Sequence, residues 1–429
     1  MLPIVLLSLP LISLAAYATM CVLFARGMRP LRPFASSVNR PAMPPPPSTL
    51  GVTLLKSCAG ADEALESCLE SYFALEHPTL QILLGVHSLS DPAAGVIRRV
   101  IARYPERDAS LVCVDATVHA SPKINTLAGL ELHARHDIVW LSDSNTHVAP
   151  ESLRAMLELL DRPGVGIVAA ITAGEDERTW GAALDNLAAN TWVTFGAVAT
   201  HALTGSFAGA GKSLLMRRRT LVRAGGWAPM GRHFADDTVI VRAVRALGMT
   251  VAIAPDVVRC PNAHGSIRSF VARHSRWSQI RFALVPASLA SEVLCAPIAV
   301  AALCFAFGPT RATAGVLALA AFAQLAGDGW ITRRLRGRTV PFVLFPVVLL
   351  RPFAMAALHI RTLFTRQVHW RGRNAWIGEG SEILERPPTR AAARGRIPVA
   401  FGNYPSGATV GPPVAAHAAR TALPTHGSD

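Results

Sequence analysis

Three carboxylate-bearing strings and one string pairing cations with an aromatic punctuate the middle of this chain. They are Asp91-Pro92, Asp143-Ser144-Asn145, Asp236-Asp237 and Arg273-His274-Ser275-Arg276-Trp277. A carboxylate with short polar neighbours, as at Asp143, can hold a hard divalent cation, because Mg2+ and Mn2+ take oxygen ligands and are commonly shared with substrate phosphates. The same string also fits an ordinary turn or capping acid. Asp236-Asp237 follows the turn Gly225-Gly226-Trp227-Ala228-Pro229 and opens a predicted helix through Ala246. Acids there either complement a helix dipole or provide a general base that takes the proton of an attacking hydroxyl. Adjacent carboxylates can also raise one another's pKa. Arg273, Arg276 and Trp277 share one face of a predicted helix over 267–282, since residues three and four apart are neighbours. Planar guanidinium forks suit diphosphate oxygens, and an indole can pack on a sugar or lipid. The competing reading is an interfacial aromatic-basic helix.

The surrounding pattern says what positions these groups. Apolar runs predict strands at 52–55, 80–86, 111–114 and 137–141, with helices over 64–74, 91–104 and 124–135 between them. This alternation predicts an α/β domain with a mostly parallel, doubly wound sheet. Such sheets bind ligands at the carboxyl ends of their strands, where Asp91 and Asp143 fall. Gly209-Ala210-Gly211-Lys212-Ser213 imitates the end of an ATP-binding P-loop, but the required first glycine is replaced by Ser206. The glycine-rich turn is expected to line the acceptor side of the site instead. His87, His119 and His147 are too dispersed to form a metal set. The seven cysteines are scattered without a Cys-x-x-Cys, which argues against a disulfide framework or zinc site and fits a reducing compartment.

The flanks read as membrane segments. The chain is 51% hydrophobic and only 16% charged, so part of it is expected in lipid. Residues 1–24 carry no charge and exceed the ~20 residues that cross a bilayer. Arg26, Arg29, Arg32 and Arg40 follow and nothing basic precedes, so an uncleaved anchor with its carboxyl side in the cytoplasm is preferred over a cleaved signal peptide. The apolar runs 293–308 and 312–327 read as a membrane hairpin, and 340–360 as a re-entrant, interfacial or spanning segment broken by Pro346 and Pro352. The expected organisation is a transmembrane anchor (1–25), a basic, Pro-rich linker (26–49), a catalytic domain (50–285), a membrane region (286–365), a cytoplasmic segment (366–385) and a disordered tail (386–429). The net charge of +14 is mostly arginine beside apolar runs, which fits anionic lipid headgroups and not nucleic acid.

In order and spacing, these strings resemble the inverting family 2 glycosyltransferases of GT-A fold, and within them the ceramide glucosyltransferase branch with its hopanoid-biosynthesis relatives. The carrying stretches are 54–56, 83–92, 121–127, 137–145, 209–227, 235–237 and 273–277, with 370–373 and 379–383 near the end. The resemblance implies a Rossmann-like catalytic domain between an N-terminal transmembrane helix and C-terminal membrane helices. It implies a UDP-sugar donor, glucose or N-acetylglucosamine, and a membrane-lipid acceptor of hopanoid or ceramide type. Asp91 would contact the uridine and Lys123 would lie near the nucleotide. Asp143 would hold Mg2+ or Mn2+ at the diphosphate. Asp237 would be the catalytic base with Asp236 as its acidic neighbour, and Arg273, Arg276 and Trp277 would border diphosphate and acceptor. The implied location is the inner membrane, multi-pass, with the catalytic domain cytoplasmic. Three departures stand out: Ser88 and Ser90 replace acids before Asp91, Ser57 replaces a proline after Lys56, and Asn145 replaces the second acid of an Asp-x-Asp. A processive polysaccharide synthase, which normally needs more spans, and a non-catalytic nucleotide-sugar-binding protein are the alternatives.

Overall fold

In the computed structural model, which describes residues 2–33, 50–205, 207, 211–370 and 373–387, seven strands form one sheet in the order β3-β2-β1-β4-β7-β5-β8. These are β1 (Val52–Ser57), β2 (Leu80–Val86), β3 (Ala109–Cys113), β4 (Ile138–Asp143), β5 (Val165–Ala169), β7 (Ser213–Arg217) and β8 (Thr250–Ile253). Two short strands, β6 (Thr172–Glu175) and β9 (Val258–Pro261), pair separately. The sheet is parallel except for β7, which runs against both β4 and β5. The expected α/β architecture with a mostly parallel sheet is therefore present.

Alternation along each strand divides the core. Val52, Leu54, Ile82, Leu84, Ile138 and Trp140 face one way, onto helices Leu65–Phe73, Pro92–Arg103 and Ser152–Leu160. Leu55, Leu83, Val139 and Leu141 face the other way, onto helices Pro122–Glu131 and Asp236–Ala246. Residues i and i+2 on one face of a pleated strand give this two-sided burial. The antiparallel entry of β7 matters for the site. Its first residue, Ser213, pairs with Ser142 at the end of β4, so Gly211 and Lys212 arrive at the carboxyl edge where Asp143 stands.

Three helical stretches are long and apolar enough to cross a membrane: Leu2–Gly27, Arg311–Arg336 and Phe342–Thr362. The anticipated break between the two runs of the hairpin is there, but the runs are unequal. Pro297–Phe307 has only 11 residues, whereas Arg311–Arg336 continues past Gly327 through Asp328. Burial explains why a carboxylate does not end that helix. Asp328 accepts hydrogen bonds from Tyr17 Oη at 2.9 Å and Arg351 Nη2 at 2.7 Å, joining all three long apolar stretches. Helix Pro346–Thr362 turns Val347, Val348, Met355 and Leu358 onto Ala183, Leu184 and Leu187 of helix Trp180–Ala188 and Phe270 of helix Ile267–Leu284.

Ion pairs tie these helices down. Arg32 bonds Asp256 at 3.1 Å just beyond the first helix. Arg336, at the end of the second, reaches Glu177 at 2.7 Å with both side chains buried. His359, in the third, meets Glu292 at 2.7 Å, which also holds Arg281 at 2.7 Å. The linker prolines 44–47 and the chain beyond 387 lie outside the described residues. After the last apolar helix, β10 (Gln367–Trp370), β11 (Arg373–Ile377) and β12 (Ile383–Leu384) form a small antiparallel sheet.

Candidate active site

Lys123 is the hub of the cleft. It lies in the first turn of helix Pro122–Glu131, and its Nζ is 2.9 Å from Asp143 Oδ1 and 2.9 Å from Asp236 Oδ2. Asp143 ends β4, and Asp236 and Asp237 open helix Asp236–Ala246. All four line one cleft with Gly211, Ser142 and Met230, enclosing roughly 250 Å³ with the open mouth included. Residues far apart in the chain thus converge at the carboxyl edge of the sheet.

Electrostatics within this group are unequal. Burial works to raise the Asp143 carboxyl, but Lys123, Lys212 and Lys56 outweigh it and hold the group below its ordinary range. Burial, with Asp237 and Asp143 adding, raises Asp236 despite the opposing pull of Lys123. Burial would also lower the Lys123 ammonium; its two carboxylate partners reverse that and keep it firmly protonated. Asp237 is held by backbone: its Oδ2 accepts the Gly211 N–H and its Oδ1 the Thr238 N–H, each at 2.7 Å. Gly211 is required here, since a Cβ would stand 1.9 Å from that of Asp237.

Under the cleft lies a second layer that the sequence analysis did not assign. Lys56 is fully buried; its Nζ donates to the Asp143 carbonyl at 2.6 Å, to Thr146 Oγ1 at 3.0 Å and to Ser142 Oγ at 3.1 Å. It stands 4.0 Å over the Tyr72 ring, whose hydroxyl bonds the same Ser142 and Thr146. Burial pulls this ammonium down to about 8. Lys212 reaches Asn145 Oδ1 and Cys260 Sγ at 3.5 Å. One sequence signal for this layer existed. Lys56, Lys123 and Lys212 are the only lysines in an otherwise arginine-based complement of 42 basic residues. A compact ammonium and a planar fork are not interchangeable where space is fixed. All three lysines act on Asp143.

The remaining expected residues lie further out. Asp91 caps helix Pro92–Arg103 beyond β2, accepting from Ala93 N–H and Gly60 N–H at 2.8 Å. It shares the sheet edge but does not line the cleft. Arg273, on helix Ile267–Leu284, is 2.5 Å from Asp185 Oδ2, while His274 Nε2 is 2.8 Å from Asp185 Oδ1. Trp277 meets the His274 ring edge-on at 5.1 Å. Arg276 is half-buried on the same helix. None of these three lines the cleft, yet Lys212 pulls down both Asp143 and Asp185 and so lies electrostatically between the two groups. Asp185 was missed because it sits mid-helix, 88 residues from its arginine.

The residues present fit a hard divalent cation. Such a cation needs one or two carboxylates plus substrate phosphates, and Asp143 offers a carboxylate lining the cleft. Among the described residues no group of three His, Cys, Asp or Glu forms a closed metal site, so a cation here would share phosphate oxygens.

An α/β sheet with a carboxylate-lysine cleft at its carboxyl edge, joined to apolar helices, accords with the class to which its relatives point, the glycosyltransferases of GT-A fold. Residues 5–383 match glycosyl transferase family 21, and the chain belongs to that family. It is similar to ceramide glucosyltransferase 1 of Caenorhabditis elegans, with 27% identity over 258 residues, 58% of this chain and 54% of that protein. It is also similar to a ceramide glucosyltransferase of Komagataella phaffii, with 35% identity over 128 residues, 29% and 25% of the two chains. The chain spans about half the length of the first relative and a quarter of the second. Among solved structures, a mannosyltransferase from Pyrobaculum calidifontis in complex with GDP-Man and Mn2+ has a TM-score of 0.53 at 18% identity, covering 83% of this chain and 99% of that one. That likeness establishes the fold alone. The resemblance to the ceramide glucosyltransferase branch is borne out.

Proposed function

We propose that this chain moves a hexose or N-acetylhexosamine from a UDP-sugar to a hydroxyl of a membrane lipid of hopanoid or ceramide type, with inversion at the anomeric carbon. The observation that carries it is the Lys123 bridge, which sets Asp143 and Asp236-Asp237 around one cleft. The helices beneath and the ceramide glucosyltransferase relatives support a lipid acceptor. On this reading the working face lies on the cytoplasmic side of an inner membrane, where nucleotide-sugars are made.

Asp237 accepts the proton of the lipid hydroxyl as its oxygen attacks the anomeric carbon. That new C–O bond forms as the bond to the diphosphate breaks, and UDP departs with the electron pair. Lys123, freed by the diphosphate from one of its acidic partners, offsets the charge on the leaving group. Arg273 and Arg276 border the diphosphate from helix Ile267–Leu284, and Asp91 holds the uridine. A divalent cation, Mg2+ or Mn2+, held by Asp143 would supply Lewis-acid stabilisation of the diphosphate.

Membranes containing the protein, incubated with labelled UDP-glucose or UDP-N-acetylglucosamine and total lipid extract, should place label in an extractable lipid. Mass spectrometry of that lipid identifies sugar and acceptor together. Label that stays wholly water-soluble across donors and acceptors refutes the proposal in favour of a binding-only protein, and label in polymer refutes it in favour of a synthase. Asp237→Asn should abolish transfer while UDP still binds. Near-normal transfer by that variant removes the base assignment.

A further inference from the structure

Helix Asp236–Ala246 begins without a capping side chain of its own. Its N-cap is Ala235, whose methyl group accepts no hydrogen bond. Ser381 Oγ, 146 residues further along the chain, accepts the N–H of that N-cap residue at 3.3 Å and so holds the chain as it enters the helix. Its neighbours repeat the attachment. The Ser381 carbonyl accepts the Phe234 N–H at 2.9 Å, and Ile383 N–H donates to the Arg232 carbonyl at 2.8 Å. His233 and Glu382 form a β-bridge. Every residue from 232 to 235, the run that delivers the acid pair, is thus tied to residues 381–383.

The sheet carrying this clamp rests on the helix of Arg273 and Trp277. Gln279 donates to the Gln367 carbonyl at 3.4 Å, and Phe234, Ile280 and Ala283 pack on Val368 and Ile377. The Phe234 ring meets Trp370 at 5.3 Å and 65°. Ser381 itself is fully buried and held at φ +73°. A Cβ is disfavoured in that left-handed conformation, whereas glycine adopts it freely. Residues kept in such conformations persist where the surroundings over-determine them, often at functional sites. A serine at a position whose backbone favours glycine is accounted for by its hydroxyl.

We propose that Ser381 is a positioning residue, and that the C-terminal sheet is a strut setting Asp236-Asp237 against the Arg273–Trp277 helix. The inference rests on the assignment of Asp237 as base. In the full-length protein, Ser381→Ala removes only the hydroxyl and keeps the strained backbone, while Ser381→Gly removes the whole side chain and adopts the left-handed turn without strain. Both should lower kcat about tenfold, because small displacements of reacting groups carry large rate penalties. KM for the UDP-sugar should stay within about twofold. Hydrogen exchange should show faster exchange at the Ala235 amide in the Gly variant. If the Ala variant does not fold, the Gly variant decides. A Gly variant with wild-type kcat overturns the proposal, since residue 381 would then serve only to turn the chain. A parallel rise in donor KM overturns it too, marking general loosening of the site. Should the unmodified protein transfer no sugar, the base assignment fails on that result. The Ala235 amide then decides the clamp separately, and unchanged protection in the Gly variant refutes it.

Discussion

Replacing Lys123 tests the central geometry most directly. Its ammonium is already in hydrogen-bond contact with two carboxylates, at 2.9 Å on each side, and the three side chains retain 20–27% exposure. At an effective dielectric near 20, each pair is worth about 6 kcal/mol gross, and breaking a fully buried pair costs about 3–5 kcal/mol. Partial exposure brings the loss on Lys123→Met down to roughly 2–3 kcal/mol, and because the site must also bind an anionic diphosphate, the loss falls on catalysis. At 1.36 kcal/mol per tenfold, kcat/KM for the donor should fall by roughly 30- to 150-fold. Lys123→Arg retains the charge but lengthens the side chain where no slack exists on either side. It should cost about tenfold, with one carboxylate displaced. Labelled-sugar transfer to lipid in detergent, with UDP binding measured by calorimetry, reads both variants. A Met variant within twofold of wild type would show that the bridge contributes nothing to catalysis and refute the reasoning.

Gly211→Ala should reduce transfer by at least tenfold with the fold intact by circular dichroism, because its Cβ would lie 1.9 Å from that of Asp237 and must push that side chain away. Arg336→Met strands a buried Glu177 and should destabilise the protein by about 3 kcal/mol in detergent melts, while the double variant Arg336→Met/Glu177→Gln should recover most of that loss. Stability should fall as pH drops from 6.5 towards 4. Burial, with Arg259 and Lys56 adding, lowers His147 to about 4, and burial lowers His274 against the pull of Asp185, so in that window the unfolded chain binds more protons than the folded one. Below about 4 the depressed carboxyls of Asp143 and Asp185 add to the loss. His147→Asn should flatten the upper part of this profile in thermal melts against pH.

Four strands were legible because each is a short apolar run ending in a polar turn; 80–86 and β2 coincide, and 52–55, 111–114 and 137–141 differ only at the ends of β1, β3 and β4, whereas β5, β7 and β8 went unread. Asp91 and Asp143 were legible for the same reason, since a carboxylate after such a run falls at the sheet's working edge, and Asp236-Asp237 because they open a helix after a glycine turn. What stayed hidden depends on contacts between distant residues. The length of helix Arg311–Arg336 was cut short at Gly327 because Asp328 reads as a terminator, and only Tyr17 and Arg351 make it tolerable inside an apolar bundle. The pairing of Arg273 with Asp185, 88 residues away, is one such contact. The antiparallel direction of β7, and the docking of 381–383 on 232–235, leave no periodic trace at all.

The three ion-paired anchors, Arg32–Asp256, Arg336–Glu177 and the Glu292 group, bolt the catalytic domain to its apolar helices at separate points. Under the proposed function, a head held at three separate points keeps its reaction chamber at one elevation over the lipid surface. The chain then works as a ruler as well as a catalyst. An alcohol presented at that height is glycosylated, and one buried nearer the acyl region is out of reach however well its chemistry matches.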